Sequence, residues 1–268
     1  MYIIIFILLG LFTGSFLNVC IDRLPRDRSI VFPPSHCESC GHKLRVLDLV
    51  PVFSWLFLRG RCRYCRAKIP ARLAVVELVT ALLFGFFFRQ FGLSLDLAVF
   101  MVYSCFLVII FVIDLEHQLV LNKVVYPGMV IAFAFSFFRP DITAVDGLGS
   151  GGIHQAMVPF ASEMVNRMIL ALAGGVLGLV VMTIPYVVYP GGMGMGDIKL
   201  AALAGLMTGY PLIVLALLFS WILGGLIAAV LLVLKIKGRK DAIPAAVFMA
   251  VAVLVTLLWG QDIWLWYF

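Results

Sequence analysis

Two aspartates and four cysteines are the residues of this chain whose types and spacing can do chemistry. Asp197 ends a glycine-rich run, Gly191-Gly192-Met193-Gly194-Met195-Gly196-Asp197, and an apolar helical pattern resumes at Leu200. Glycine reaches φ > 0 without steric cost, so the backbone is open just before the carboxylate. Asp197 therefore falls at or near a helix N-terminus at the edge of an apolar segment, where an acid reads as a functional group. A plain turn with an N-capping Asp is the alternative. Asp114, in Phe111-Val112-Ile113-Asp114-Leu115-Glu116-His117-Gln118, ends another apolar segment. Two carboxylates brought together can activate water, one ionised as general base and one protonated to polarise a carbonyl. No metal or covalent nucleophile is needed. A helix N-terminus favours the anion, so Asp197 is expected to be the ionised member and Asp114, near a helix C-terminus, the protonated one.

The cysteines suggest a second kind of site. Cys37-Glu38-Ser39-Cys40 and Cys62-Arg63-Tyr64-Cys65 are two Cys-x-x-Cys pairs with 21 residues between them. Each can present two thiolates from a tight knuckle, and two knuckles complete a tetrahedral Cys₄ shell for Zn²⁺. All four positions would be filled by protein, which makes the site structural. Disulfides or free thiols are the alternatives, and a reducing cytoplasmic location disfavours the former. Cys20 and Cys105 fall inside apolar segments and read as small buried hydrophobes.

The elements that must position these residues are membrane spans. The chain is 63% hydrophobic and 13% charged, with a mean hydropathy of +1.12, which excludes an ordinary soluble domain. Runs of about 20 apolar residues cross a hydrocarbon core of about 30 Å. Such runs are expected near residues 2–20, 73–91, 95–113, 124–138, 164–188, 197–209, 211–234 and 244–260. No basic residue precedes the first, and a basic loop follows it, so it is read as a span and not a removable leader. Residues 22–72 carry 11 of the 20 Lys and Arg residues against four acids. With eight spans and both termini outside, 17 of the 20 basic residues lie inside. The net charge of +6 thus reads as a topology signal and not as nucleic-acid binding. The expected fold is an all-α polytopic membrane protein of about eight transmembrane helices, with a small zinc-stapled cytoplasmic loop domain. Asp114 and Asp197 then lie at the same inner face. The connection 139–163 is rich in Gly and shows no site chemistry, and His154 in it reads as a solvated histidine.

Four stretches together resemble the type IV prepilin peptidases. The run 192–200 is similar to that family's Gly-x-Gly-Asp motif, and Gly14-Ser15-Phe16-Leu17-Asn18-Val19-Cys20-Ile21-Asp22-Arg23-Leu24-Pro25 to its N-terminal signature. The two knuckles, with Leu49-Val50-Pro51-Val52-Phe53-Ser54-Trp55-Leu56 between them, resemble its zinc-type loop. Ile113-Asp114-Leu115-Glu116-His117-Gln118-Leu119 is similar to the motif of its first catalytic aspartate. The resemblance implies a membrane aspartic endopeptidase that removes the basic leader from prepilins and pseudopilins after a glycine, at the cytoplasmic face of the bacterial inner or plasma membrane. It also implies N-methylation of the new N-terminus with S-adenosylmethionine as donor. Carried over, Asp114 and Asp197 are the catalytic pair, and Cys37, Cys40, Cys62 and Cys65 the metal ligands. Gly14 to Arg23 and the Cys loop become candidates for the methylation side. The domains are then a first span (1–21), a basic Cys₄ loop domain (22–72) and a multi-span peptidase domain (73–268). Prepilin substrates and the bilayer are the expected partners. One departure stands out: Val120-Leu121-Asn122 replaces the family's usual Leu-Pro-Asp.

Three further residues are substrate-proximal candidates. Gly194 and Gly196 can let a substrate backbone approach closely by strand-like pairing. Glu77 is an intramembrane acid one turn inside the second span. It reads either as a structural ion pair with a cation such as Arg72, or as a contact to the substrate amine or the methyl donor. Lys199 is assigned to a headgroup phosphate in preference to a carboxylate. The rival classes are a presenilin-type or archaeal preflagellin-type protease without the Cys loop, a transporter, and a zinc-bearing membrane scaffold.

Overall fold

Every one of the eight apolar stretches is a helix in the computed structural model, which describes residues 2–138, 160–188, 194–236 and 244–267. Among the described residues there are nine α-helices and no strand. They are α1 (Tyr2–Arg23), α2 (Phe53–Phe57), α3 (Ala71–Phe91), α4 (Leu95–His117), α5 (Asn122–Ser136), α6 (Phe160–Val188), α7 (Met195–Thr208), α8 (Leu212–Val233) and α9 (Ala245–Tyr267). Six of them, α1, α3, α4, α6, α8 and α9, are long and apolar enough to cross a membrane. The other two expected spans, α5 and α7, have 15 and 14 residues. At 1.5 Å per residue they cover only about 21–23 Å, short of a full hydrocarbon core. Gly191 to Met193, the connection 139–159 with His154, and the basic residues 237–240 lie outside the described residues.

The chain folds as two compact units, Met1–Ile109 and Ile110–Phe268. In the first, α1 lies along α3. Gly10 and Gly14 of α1 make this possible: a Cβ on Gly10 would stand 2.6 Å from Ala81 Cα, and one on Gly14 2.7 Å from Glu77 Cα. This is small-xxx-small packing, where a missing side chain lets backbones touch. Phe6 stacks on Phe88 (4.5 Å), and Phe100 of α4 meets Phe87 (5.5 Å) and Phe91 (4.4 Å). Asn18 Nδ2 donates to the Leu73 carbonyl (2.9 Å), and Arg72 pairs with Asp22 (2.6 Å), closing the base of the loop.

That loop, between α1 and α3, has little core of its own and holds its shape by local hydrogen bonding. Its two knuckles are built alike. Each is closed by an isolated antiparallel bridge, His36 with Lys43 and Arg61 with Lys68. In each, the first cysteine's N–H reaches across the turn, Cys37 to the His42 carbonyl (3.0 Å) and Cys62 to the Ala67 carbonyl (2.8 Å). The left-handed position is Gly41 in the first (φ 69°) and Arg66 in the second (φ 61°).

In the second unit α7 is the hub, packed against α5, α6, α8 and α9. Eight of its residues are buried, among them Leu200 to Gly205. A helix buried on every side needs apolar residues all round, and close neighbours need small ones. Both are present. A Cβ on Gly205 would run into the backbone of Gly174, and one on Gly178 into the Ala201 carbonyl. Gly174 and Gly178 of α6 thus let α7 settle directly on α6. Gly225 of α8 has open space where its Cβ would be. Side chains such as Val187, Leu226 and Val130 stay exposed, as an apolar band facing lipid does.

These two kinds of glycine are expected to behave differently. Gly205→Ala should lower stability by about 1–3 kcal/mol through overpacking, whereas Gly225→Ala should be neutral or gain up to about 1 kcal/mol. Thermal denaturation in detergent reads the difference, and equal effects would contradict the packing described.

Candidate active site and thiol cluster

Both aspartates belong to the second unit, and each carboxylate is met by a helix N-terminus. Asp114 stands near the end of α4 and is 4% exposed. Its Oδ2 accepts the Val247 N–H (3.1 Å), and the Ala246 N–H also serves the carboxylate. These are first-turn amides of α9, which have no partner within their own helix. Asp197 is the third residue of α7, whose N-cap is Gly194. Its N–H donates to the Gly194 carbonyl (3.1 Å), and its carboxylate accepts the Gly194 N–H in return. Asp197 is thus not the N-cap itself but the third helical residue, whose carboxylate reaches back to the N-cap N–H as in one half of a capping box. The two carboxylates lie within electrostatic range of each other. The expectation of distinct protonation states rested on Asp114 being close to a helix C-terminus. The amides of α9 remove that basis, because both carboxylates now sit at the positive end of a helix.

The surroundings of the pair separate the two glycines. A Cβ on Gly196 would stand 2.7 Å from Val120 Cβ, so Gly196 lets α7 close onto the turn between α4 and α5. A Cβ on Gly194 would meet Asp197 Oδ2 at 3.7 Å, an ordinary contact. Lys199 donates to Asn122 Oδ1 (3.0 Å) and sits 5.5 Å from the Tyr126 ring centroid. Its partner in the protein is therefore a side chain at the start of α5. Nothing in the sequence marked Ala246 and Val247, since they act only through backbone N–H groups.

The four cysteines of the loop converge in the first unit. Their sulfurs all lie within 4.8 Å of one another and could hold a metal ion. Cys37 Sγ and Cys65 Sγ are 3.8 Å apart, about the edge of a tetrahedron with metal–sulfur bonds of about 2.3 Å. All four are free thiols. The Cys40 N–H and further donors from the knuckle pull the Cys37 thiol down to about 7, outweighing its burial. The Ala67 N–H favours the Cys65 thiolate, but burial and the three neighbouring sulfurs outweigh it and push that thiol up to about 11. Around the cluster, Asp48 receives Arg63 (2.7 Å) and the Arg45 N–H (3.1 Å), and the His42 ring lies against Tyr64, tilted by 36° with centroids 3.7 Å apart. Burial opposes the Asp48 charge, but Arg45 and Arg63 together hold its carboxyl below the usual range.

Glu77 does not form the ion pair with Arg72, which pairs with Asp22 instead. It is 8% exposed, and its Oε2 accepts the Val52 N–H at 2.6 Å, with Ser15 as a second partner. It borders a cavity of about 370 Å³ beneath the cysteine loop.

Substitution separates the glycines. Gly196→Ala should cost about 1–3 kcal/mol of stability and be relieved by Val120→Ala, while Gly194→Ala should cost less, both read as melting temperature in detergent. An equal loss at both positions, or no relief from Val120→Ala, would contradict the assigned contact.

Residues 8–91 match the bacterial peptidase A24 N-terminal domain, and residues 101–229 the type IV leader peptidase family. No solved structure matches the chain. A prepilin leader peptidase/N-methyltransferase of Pseudomonas putida is 30% identical over 278 residues, 96% of this chain and 90% of that protein. One from Bacillus subtilis is 30% identical over 259 residues, covering 97% and 95%, and one from Aeromonas hydrophila 30% identical over 296 residues, covering 100% and 94%. Identity at this level along nearly the whole length, in three relatives of the same kind, places the chain in the type IV leader peptidase family.

Proposed function

We propose that this multi-pass membrane protein is a prepilin leader peptidase and N-methyltransferase, with Asp114 and Asp197 as its catalytic pair. The observation that carries the peptidase reading is the meeting of two carboxylates from separate helices, each supplied with free helix N-terminal amides, inside the part of the chain that matches the leader peptidases. Close carboxylates titrate as a pair, and one proton shared between them leaves one base and one acid. The base takes a proton from water as the oxygen attacks the scissile carbonyl. The acid hydrogen-bonds to that carbonyl's oxygen as it gains charge. Collapse of the tetrahedral species breaks the C–N bond, and the leaving amine takes up the proton that the base removed from water. The α9 amides hold Asp114 in place, and Gly194 does the same for Asp197.

The substrate fits the same frame. A prepilin has a short basic leader and an apolar helix, so its scissile bond, after a glycine, lies near the cytoplasmic interface. The excess of Lys and Arg in the 22–72 loop assigns that loop and the aspartate pair to the cytoplasmic face, with both termini outside. Residues 1–21 act as a first span, 22–72 as the Cys₄ loop domain and 73–268 as the peptidase body. Gly194 and Gly196 lie beside the pair, where substrate backbone must pass. The methyl donor is S-adenosylmethionine, which supplies an electrophilic methyl group on a sulfonium for the new N-terminal amine. The thiol cluster holds Zn²⁺ as a structural ion, with Cys37, Cys40, Cys62 and Cys65 as its four ligands.

Two outcomes test this reading. Asp114→Asn and Asp197→Asn should each lower leader cleavage of a prepilin peptide by at least about 10²–10⁴-fold, read as product mass with purified protein in detergent. Cleavage surviving either change removes that residue from the pair. Elemental analysis should find one zinc per chain. Cys62→Ser should lose it at limiting zinc and open residues 22–72 to trypsin. Full zinc content in that variant overturns the four-thiolate site.

A further inference from the structure

One stretch of the cysteine loop is apolar without being buried. Residues 46–58 read Val-Leu-Asp-Leu-Val-Pro-Val-Phe-Ser-Trp-Leu-Phe-Leu, with Asp48 as the one charged residue. Val46, Leu47, Leu49, Phe53, Leu56 and Phe57 are all exposed, Val46 by 82% and Phe57 by 81%. The acid is turned away: the Asp48 side chain is 4% exposed and is held by Arg63 and the Arg45 N–H. An exposed apolar surface of this kind marks a contact with a partner or a membrane.

Hydrogen bonds to α1 and α3 give the depth of the stretch. The Val52 N–H donates to Glu77 Oε2 (2.6 Å), and Ser15 meets the same carboxyl group. Glu77 is the seventh residue of α3, about 9 Å along the helix from its first residue. Ser15 lies eight residues before the end of α1, about 12 Å along that helix. With 21 residues, α3 is about as long as the hydrocarbon core is thick, about 30 Å. Val52 therefore stands below the level at which both spans leave the membrane. The chain then climbs out. Trp55 Nε1 donates to the Ile69 carbonyl (3.2 Å), and the Ile69 N–H to the Gly60 carbonyl (2.8 Å), just before α3 begins. The backbone of the dip is satisfied from within the protein, as lipid requires. The Ser54, Leu56 and Leu58 N–H groups donate to the Val50, Val52 and Ser54 carbonyls, and Pro51 has no N–H to place. Glu77 takes the N–H of Val52, the N-cap of α2.

Charge selects the occupant of this surface. Arg45, Arg59, Arg61 and Arg66, all exposed, flank the apolar residues, a combination that suits anionic headgroups above an acyl layer. A basic prepilin leader would be repelled by the same cations, and a second copy would bring like charge against like. We propose that residues 46–58 are a re-entrant segment that enters the cytoplasmic leaflet of an anionic bilayer. Phe53, Leu56 and Phe57 lie among the acyl chains, and Arg45 and Arg59 lie at the headgroups. The choice of leaflet rests on the proposed topology, whereas the insertion rests on the contacts with α1 and α3. The cysteine loop is then fixed to the membrane at its middle as well as at its two ends, and Glu77 has a structural task in holding the dip.

Photocrosslinking in vesicles tests the assignment. Full-length protein carrying Phe57→p-benzoylphenylalanine, or Leu82→p-benzoylphenylalanine as a lipid-facing reference on α3, is reconstituted in phosphatidylethanolamine with phosphatidylglycerol as the anionic lipid. Irradiation should give lipid adducts at both positions, read by peptide mass. Adducts at Leu82 without any at Phe57 overturn the insertion. Crosslinks from Phe57 to a second copy, or to an added prepilin peptide, in place of lipid also overturn it. Exchanging phosphatidylglycerol for phosphatidylcholine should lower the yield at Phe57 by at least about twofold and leave Leu82 unchanged. Equal yields in both lipids overturn the headgroup assignment. Wild-type protein in vesicles containing a phospholipid with a diazirine in its acyl chain needs no variant to fold. Label within residues 46–58 supports the segment, and label confined to the spanning helices overturns it. None of these readouts involves cleavage or methyl transfer, so a failure of either activity bears on the proposed function alone.

Discussion

Holding two carboxylates among apolar helices is the constraint from which the second unit is organised. An ionised carboxylate loses its hydration in such a place, and the loss must be made up by fixed donors or by a shared proton. This protein draws its donors from the backbone. Asp114 takes first-turn amides of α9, and Asp197 takes the N-cap amide of its own helix. Backbone amides at a helix start are oriented by the helix and have no competing partner, so they supply charge stabilisation with little reorganisation. The same residues that end or begin the helices therefore also prepare the site.

Short helices follow from this arrangement. A carboxylate at the start of α7 reaches the end of α4 only if α7 is recessed among its neighbours, and a 14-residue helix surrounded by α5, α6, α8 and α9 achieves this. Among helices in a bilayer the hydrophobic effect gives little drive for association, so packing relies on close approach and van der Waals contact. Gly174, Gly178 and Gly205 remove the side chains that would hold α6 and α7 apart. Gly196 plays the same part against Val120. The glycine run before Asp197 thus has two tasks, one in packing and one in capping, and its members are not interchangeable.

The first unit solves a different problem. Residues 22–72 are too few and too polar to build a core, and two alike knuckles with four converging sulfurs stand in for one. The second knuckle places Arg66 where the first has Gly41. A left-handed turn costs a non-glycine residue about 1–2 kcal/mol, so the knuckle is held by more than local preference. Four sulfurs gathered around one point provide the reason when a metal joins them. Beneath the knuckles, Asn18 and Glu77 extend the polar chemistry of the loop down between α1 and α3.

The sequence by itself determined the helices, the two Cys-x-x-Cys pairs and the aspartates, because apolar run length, paired thiols and acids at span edges are properties of neighbouring residues. It also carried the Gly10/Gly14 spacing, whose packing role became visible only with a partner helix in place. Tertiary structure decided which groups meet. Arg72 pairs with Asp22 and leaves Glu77 to the Val52 amide, and Lys199 finds Asn122. Local sequence cannot rank such choices, since each involves partners distant along the chain and several involve backbone amides, which every residue but proline carries. For that reason the donors to Asp114, from Ala246 and Val247, left no mark in the sequence at all.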